Sequence, residues 1–294
     1  MTHPDISHYR TITNPEEFHL DWKAFYPSAY ARGQALRARW RHTAGVAYGD
    51  EAAQVMNIYY PEEVRRDAVV FVYLHGGAFQ EGHPDFYDFV GESLLRRGAI
   101  FVSMGYRLAP IRFPTSAHDV ARGLTALQGA LQAKGVAATR YCLSGHSAGA
   151  AIAALLSVRP DILDSADFNH DLIDSTVLLS GIYDFRPPEI SQNFVDPEWR
   201  DYASPVLHCN HAPKHTILVY GLPEINLKVS NPESFRNRAH LFATTLKEQG
   251  HQATLVELAE TNHMDTASVL DRDEVLSVIC TVLGLPSRVE TAES

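Results

Sequence analysis

The sequence predicts an α/β fold, a mostly parallel central sheet with helices on both faces. Two observations predict it. Short, continuous apolar runs rich in β-branched residues suit strands buried on both sides, and they alternate with longer segments of helical periodicity. Strands separated by helical segments read as βαβ units, which lay their strands parallel.

The first such run, AVVFVYL at 68–74, ends at Gly76 and Gly77. A polar, aromatic stretch from Pro84 to Arg97 reads as helix, and AIFVSMG at 99–105 as a second buried strand. Val120, Leu124, Leu127 and Leu131 recur at helical spacing within 116–134, ahead of a third strand at 139–144. A helix at 148–157 follows, then strands STVLLSG (175–181) and HTILVYG (215–221). A helix at 233–249 is stopped by Gly250, a strand ATLVELA spans 253–259, and a last helix covers 266–283.

Two stretches break this rhythm. Residues 14–45 are rich in aromatics (Trp22, Phe25, Tyr26, Tyr30, Trp40), and 182–214 interrupts the alternation with prolines and aromatics. Ligands of open parallel sheets bind beyond the carboxyl ends of the strands. The first stretch is therefore expected as an N-terminal cover and the second as a small helical lid.

The 294 residues admit one large domain or two small ones. With 45% hydrophobic, 20% charged and 10% aromatic residues, the chain can build a sizeable core, which excludes disordered and disulfide-stapled classes. The net charge of −10 lies outside the first 66 residues, where acidic and basic side chains balance. An acidic body argues against nucleic acid or an anionic membrane as partner. Cys142, Cys209 and Cys280 are far apart and lack CxxC spacing, which favours a reducing compartment over a disulfide framework. Neither a signal-like N-terminus nor a membrane-length apolar run is present, so a cytoplasmic protein is expected.

The chemistry is concentrated in four places. Ser144-Gly145-His146-Ser147-Ala148-Gly149 stands between a buried strand and an apolar helix. This is a G-x-S-x-G nucleophile elbow in its strand–turn–helix setting, with Ser147 projecting from a strained turn. His75-Gly76-Gly77-Ala78-Phe79 follows the first long strand. Acyl transfer puts negative charge on a carbonyl oxygen, and the backbone N–H groups of Gly76, Gly77 and Ala148 are candidates to hold it. His263 lies just after the last strand, where a base must sit to activate Ser147. The acid that orients it is expected after HTILVYG. Glu224 is favoured, with Glu233 second because it opens a helix and suits the dipole there. Asp265 reads as the cap of the last helix.

These motifs resemble the α/β-hydrolase superfamily, and within it the hormone-sensitive-lipase-like esterases and kynurenine formamidases. HGGAF, Gly105-Tyr106-Arg107-Leu108-Ala109-Pro110 with Phe113-Pro114, and GHSAG are similar to both groups. Ser180-Gly181-Ile182-Tyr183-Asp184-Phe185-Arg186-Pro187, Ser204-Pro205, and Ala47-Tyr48-Gly49-Asp50 leading into NIYYP at 57–61 resemble the formamidases more specifically. The resemblance covers residues 45–283 or so. It departs at Ala78-Phe79, where the formamidases carry an aromatic pair, and at Glu224, where the esterases use aspartate.

The resemblance implies the α/β-hydrolase fold and a serine hydrolase acting on a carboxylic ester or aryl-amide bond, without cofactor or metal. Ser147, Glu224 and His263 would form the triad, with Phe79, Tyr183 and Trp199 lining the substrate site. A small-molecule ester or amide is the expected partner, and a homodimer is compatible with this reading. Two other classes compete: a non-catalytic small-molecule-binding protein on the same scaffold, and a metal-dependent hydrolase built on the clustered His208, Cys209, His211 and His215. Because the elbow, its oxyanion donors and its base come from positions 147, 76 and 263, a boundary near the middle would cut the site. One domain over 1–294 is expected.

Overall fold

The computed structural model describes residues 22–222, 224 and 234–287. Eight strands form one sheet in the order β1-β2-β4-β3-β5-β6-β7-β8. They are β1 (Arg41–Ala47), β2 (Val55–Tyr60), β3 (Val70–Leu74), β4 (Ile100–Met104), β5 (Tyr141–His146), β6 (Ile173–Leu179), β7 (His215–Leu222) and β8 (Gln252–Ala259). From β4 through β8 every neighbouring pair is parallel, while β2 is antiparallel to both β1 and β4. The α/β architecture and its mostly parallel sheet are as the sequence predicts.

The helices are α1 (Trp22–Arg39), α2 (Glu92–Leu95), α3 (Thr115–Gln132), α4 (Ala148–Val158), α5 (Pro160–Asp164), α6 (Pro188–Ser191), α7 (Ser234–Glu248) and α8 (Asp273–Leu283). β3 shows how one strand serves two layers. Val70, Val72 and Leu74 pack with Leu124, Ile152 and Phe242 from α3, α4 and α7. Phe71 and Tyr73 point to the other face, toward Tyr26 of α1 and Ile279 of α8. All five are fully buried, as a strand flanked by helices on both sides must be.

Three expectations are corrected. The helix read over 84–97 is a series of short turns, Pro84–Phe86, Asp88–Gly91 and α2. It is built around a buried Asp88 that accepts from Arg37 Nη2 at 2.7 Å and Asn57 Nδ2 at 3.0 Å. The last helix is interrupted: a 3₁₀ stretch Asp265–Asp271 precedes α8, and Asp265 is the first residue of that stretch rather than the cap of the helix. Asn262 Oδ1 accepts from the N–H groups of Met264 and Asp265, each at 2.9 Å. Of the stretch read as N-terminal cover, 14–21 lies outside the described residues and the rest divides, since α1 packs on the turns at 84–91 while residues from Arg41 onward form the edge strand β1.

Residues 182–214 leave the carboxyl end of β6 and carry only α6 and two 3₁₀ turns. Their first half crosses above the His75–Phe79 loop. Phe113 N–H donates to Phe194 O at 3.0 Å, and Phe79 packs against Phe113, Phe185 and Phe194. No described helix is long and apolar enough to cross a membrane.

Candidate active site

Ser147 sits between β5 and α4 with φ 53° and ψ −113°, a conformation costly for a residue with a Cβ. Two backbone bonds hold it there: Ser147 N–H donates to Leu179 O of β6 at 2.8 Å, and Ser147 O accepts from Ala151 N at 3.1 Å. Close approach explains the flanking glycine. A Cβ on Gly149 would lie 2.1 Å from Leu74 O and 2.5 Å from His75 O, so only glycine lets α4 begin against the end of β3.

That contact brings the second loop alongside the first. Gly77 has φ +117°, and a Cβ there would lie 2.1 Å from Glu81 O. His75 anchors this loop: its ring stacks on Tyr106 at 4.5 Å, and its Nδ1–H donates to Gly76 O at 2.8 Å. Burial pushes its pKa down to about 4, so it stays neutral and serves as scaffold. Among the described residues no acceptor takes the N–H groups of Gly76, Gly77 or Ala148. Ala148 opens a helix, where an unpaired N–H is the rule.

His263 Nε2 lies 3.0 Å from Ser147 Oγ. The imidazole is held by its surroundings. Phe235 of α7 stacks on it at 4.2 Å, and its backbone carbonyl accepts from His146 Nε2 at 2.7 Å and from Thr266 Oγ1 at 2.6 Å. A carbonyl can only accept, so His146 carries its proton on Nε2. Burial and the adjacent His263 push the His146 pKa well below the ordinary histidine value.

The other face of His263 meets Glu224. Nδ1 and Glu224 Oε2 are 3.7 Å apart, longer than a hydrogen bond, and neither has another partner among the described residues. The second carboxylate oxygen, Oε1, is fixed by Gly221 N–H at 2.8 Å and by a very short bond from Ser180 Oγ. Arg238 of α7 is buried nearby. Burial holds its pKa below the ordinary value, against the opposing pull of Glu224. Ser147, Glu224 and His263 are 8%, 3% and 6% exposed, so the line of groups is shielded from bulk water.

Sequence reasoning singled out Ser147, Glu224, His263, Gly76, Gly77 and Ala148, and the structure brings these six together. Glu233 lies outside the described residues. Phe79 is buried beside the Gly76–Gly77 loop. Tyr183 is equally buried, with its ring on Phe242 at 4.8 Å and its hydroxyl accepting from Gly181 N at 3.2 Å, so it supports the turn after β6.

Trp199 is not part of this group. It is 47% exposed and packs on Tyr202, whose ring lies under Arg159 at the far end of α4. The cluster His208, Cys209, His211 and His215 also disperses. His208 bonds to Asp201 O, His215 to Gln252 and Thr254, and Cys209 is buried. His146, Ser180, Phe235 and Arg238 were missed as contributors. The first two stand inside motifs already quoted, whereas nothing in sequence marks Phe235 or Arg238.

A family model for the alpha/beta hydrolase fold matches residues 71–266. The chain is 26% identical over 227 residues to a kynurenine formamidase of Danio rerio, covering 74% of this chain and 73% of that protein. It is 22% identical to the esterase LipC of Mycobacterium tuberculosis over 92% of this chain and 74% of that one. Among solved structures, esterase B from Lactobacillus rhamnosis superposes with a TM-score of 0.68 at 17% identity, covering 89% of this chain and 91% of that one. The matched span holds the elbow, the glycine loop, the carboxylate and the histidine described above, and the chain belongs to the alpha/beta hydrolase fold family.

Proposed function

We propose that this serine hydrolase cleaves a small carboxylic ester or formamide-type aryl amide through an acyl-enzyme on Ser147. The observation that carries the assignment is the 3.0 Å approach of His263 Nε2 to Ser147 Oγ, with Glu224 facing the opposite ring nitrogen. His263 removes the Ser147 proton as Oγ attacks the carbonyl. The tetrahedral oxyanion is held by the free N–H groups of Gly76, Gly77 and Ala148, and removing one such donor typically costs 10²–10³ in turnover. His263 returns the proton to the leaving alcohol or amine, and water then repeats the sequence on the acyl-enzyme. The imidazolium formed in each half-reaction draws Glu224 Oε2 toward Nδ1, and a closure of about 0.8 Å suffices for a charge-assisted bond.

Residues 182–214 act as cover over the pocket. The Phe79, Phe113, Phe185 and Phe194 cluster supplies an apolar wall beside the oxyanion loop, which suits an apolar acyl or aryl group. A fluorophosphonate probe should label the wild type and leave Ser147→Ala unlabelled. Rates on p-nitrophenyl esters of increasing acyl length, set beside N-formylkynurenine, separate esterase from formamidase preference. A wild type that binds substrate-like ligands but resists the probe would make the chain a binding protein instead.

A further inference from the structure

At the sheet edge opposite the active site, the loops entering β6 and β7 bring together residues 40 positions apart. His170, Asp171 and His211 each offer one ligand atom, and these atoms all lie within 4.8 Å of one another. We propose that they bind a divalent transition-metal ion of the zinc class, a site independent of the hydrolytic chemistry.

The histidine is already oriented as a ligand. His170 Nδ1 is 2.9 Å from Asp164 Oδ1, and its Nε2 faces Asp171 Oδ1 at 3.4 Å. A carboxylate behind one ring nitrogen fixes the tautomer and presents the other nitrogen's lone pair outward, the arrangement that supports histidine ligands at metal centres. Asp171 is fixed in turn, because its N–H donates to Asn169 Oδ1 at 3.1 Å in the turn before β6. His211 meets the His170 ring edge-on with centroids 5.0 Å apart.

The three line a surface recess of about 190 Å³ with Pro160, Ser157 and Lys214. Lys214 does not compete for Asp171, since its ammonium is bound to Asp174 at 2.7 Å. Tetrahedral bonds of 2.0–2.1 Å place ligand atoms about 3.4 Å apart, so shifts below roughly 1 Å close the set. Two neutral imidazoles with one ligating carboxylate, backed by Asp164, balance a doubly charged ion. The nitrogen content favours zinc, cobalt or nickel over magnesium or calcium.

β6 separates this place from the nucleophile. Ser147 bonds to Leu179 at its far end, about 25 Å from Asp171 at strand rise. The ion would therefore clip two loops, including the end of 182–214, and leave the hydrolytic step untouched.

Metal-stripped protein titrated with Zn²⁺ by calorimetry should take up one equivalent with micromolar Kd, and its Tm should rise by about 5 °C at saturation. His211→Ala and Asp171→Asn, both in exposed loops, should each abolish that equivalent while hydrolysing p-nitrophenyl acetate at the wild-type rate. Asp164→Ala, which removes a positioning residue, should keep the stoichiometry and weaken binding by about 10–100-fold. Uptake only at millimolar zinc, or unchanged affinity and stoichiometry in His211→Ala and Asp171→Asn, would overturn the proposal.

Discussion

Glu224 divides its carboxylate between two tasks. Oε1 is occupied by Gly221 N–H and Ser180 Oγ, which leaves Oε2 alone to face His263. Glu224→Gln can keep the contacts of its carbonyl oxygen but turns an NH₂ donor toward Nδ1. His263 is then driven to the tautomer whose Nε2 carries hydrogen and cannot accept from Ser147. We expect kcat to fall by about 10³–10⁴ with the fold intact, as for other triads whose acid becomes an amide. Ser180→Ala removes one of the two Oε1 anchors. A hydrogen bond to a charged group is worth about 1.5–3 kcal/mol, of which part should appear as a roughly tenfold loss of kcat at little-changed KM. Steady-state kinetics on one p-nitrophenyl ester tests both, and a Glu224→Gln enzyme with wild-type turnover would refute the role of this acid.

The elements that carry the site meet where side chains are absent. With its Cβ driven against Leu74 O and His75 O, Gly149→Ala must push α4 away from β3 and so part Ser147 from the Gly76–Gly77 donors. A loss of about 3 kcal/mol or more in urea unfolding is expected, together with strongly slowed fluorophosphonate labelling. Full stability in this variant would show that the elbow tolerates the shift. The same dependence on tight contacts explains which elements were legible in sequence. β3 to β8 were read because strands under helices carry continuous apolar runs, and the elbow and glycine loop were read because their glycines are obligatory. β1 and β2 were missed: RHTAGVA lies on the sheet edge, mostly exposed, and in VMNIYY the buried Asn57, bonded to Asp85 and Asp88, breaks the apolar run. The helix expected over 84–97 fails because Asp85 and Asp88 are spent on Arg37 and Asn57, contacts from 28 to 51 positions away that no local pattern encodes. Trp199 was drawn to the site by its aromatic neighbours, but Arg159 holds that cluster at the other end of α4. Glu224 was reachable by chain order alone, whereas Phe235 and Arg238 reach the site only through the docking of α7.

For the whole molecule, acid should be a greater threat than its negative charge suggests, because the site is scaffolded by buried neutral histidines. An unfolded histidine titrates near 6.5, whereas His75 in the fold is pushed down to about 4. Between these values the unfolded chain binds the extra proton, so stability is present above pH 6.5 and drains away as pH falls. His75 alone loses the protein about 2 kcal/mol by pH 5, and His146, lowered by the same burial, adds a loss of the same sign. Asp88 works the other way. Burial raises its pKa to about 6, so the folded state takes up its proton first and recovers about 1 kcal/mol over the same interval. His75 and Asp88 together leave a loss of about 1 kcal/mol, His146 deepens it, and urea unfolding should therefore show a net decline between pH 7 and pH 5. His75→Gln should be less stable at pH 7, since it loses the stack on Tyr106, yet its stability should fall less steeply with acid by nearly one proton. A wild-type profile flat from pH 7 to 5, or a variant profile parallel to it, would mean that His75 is not the neutral strut beneath the oxyanion loop.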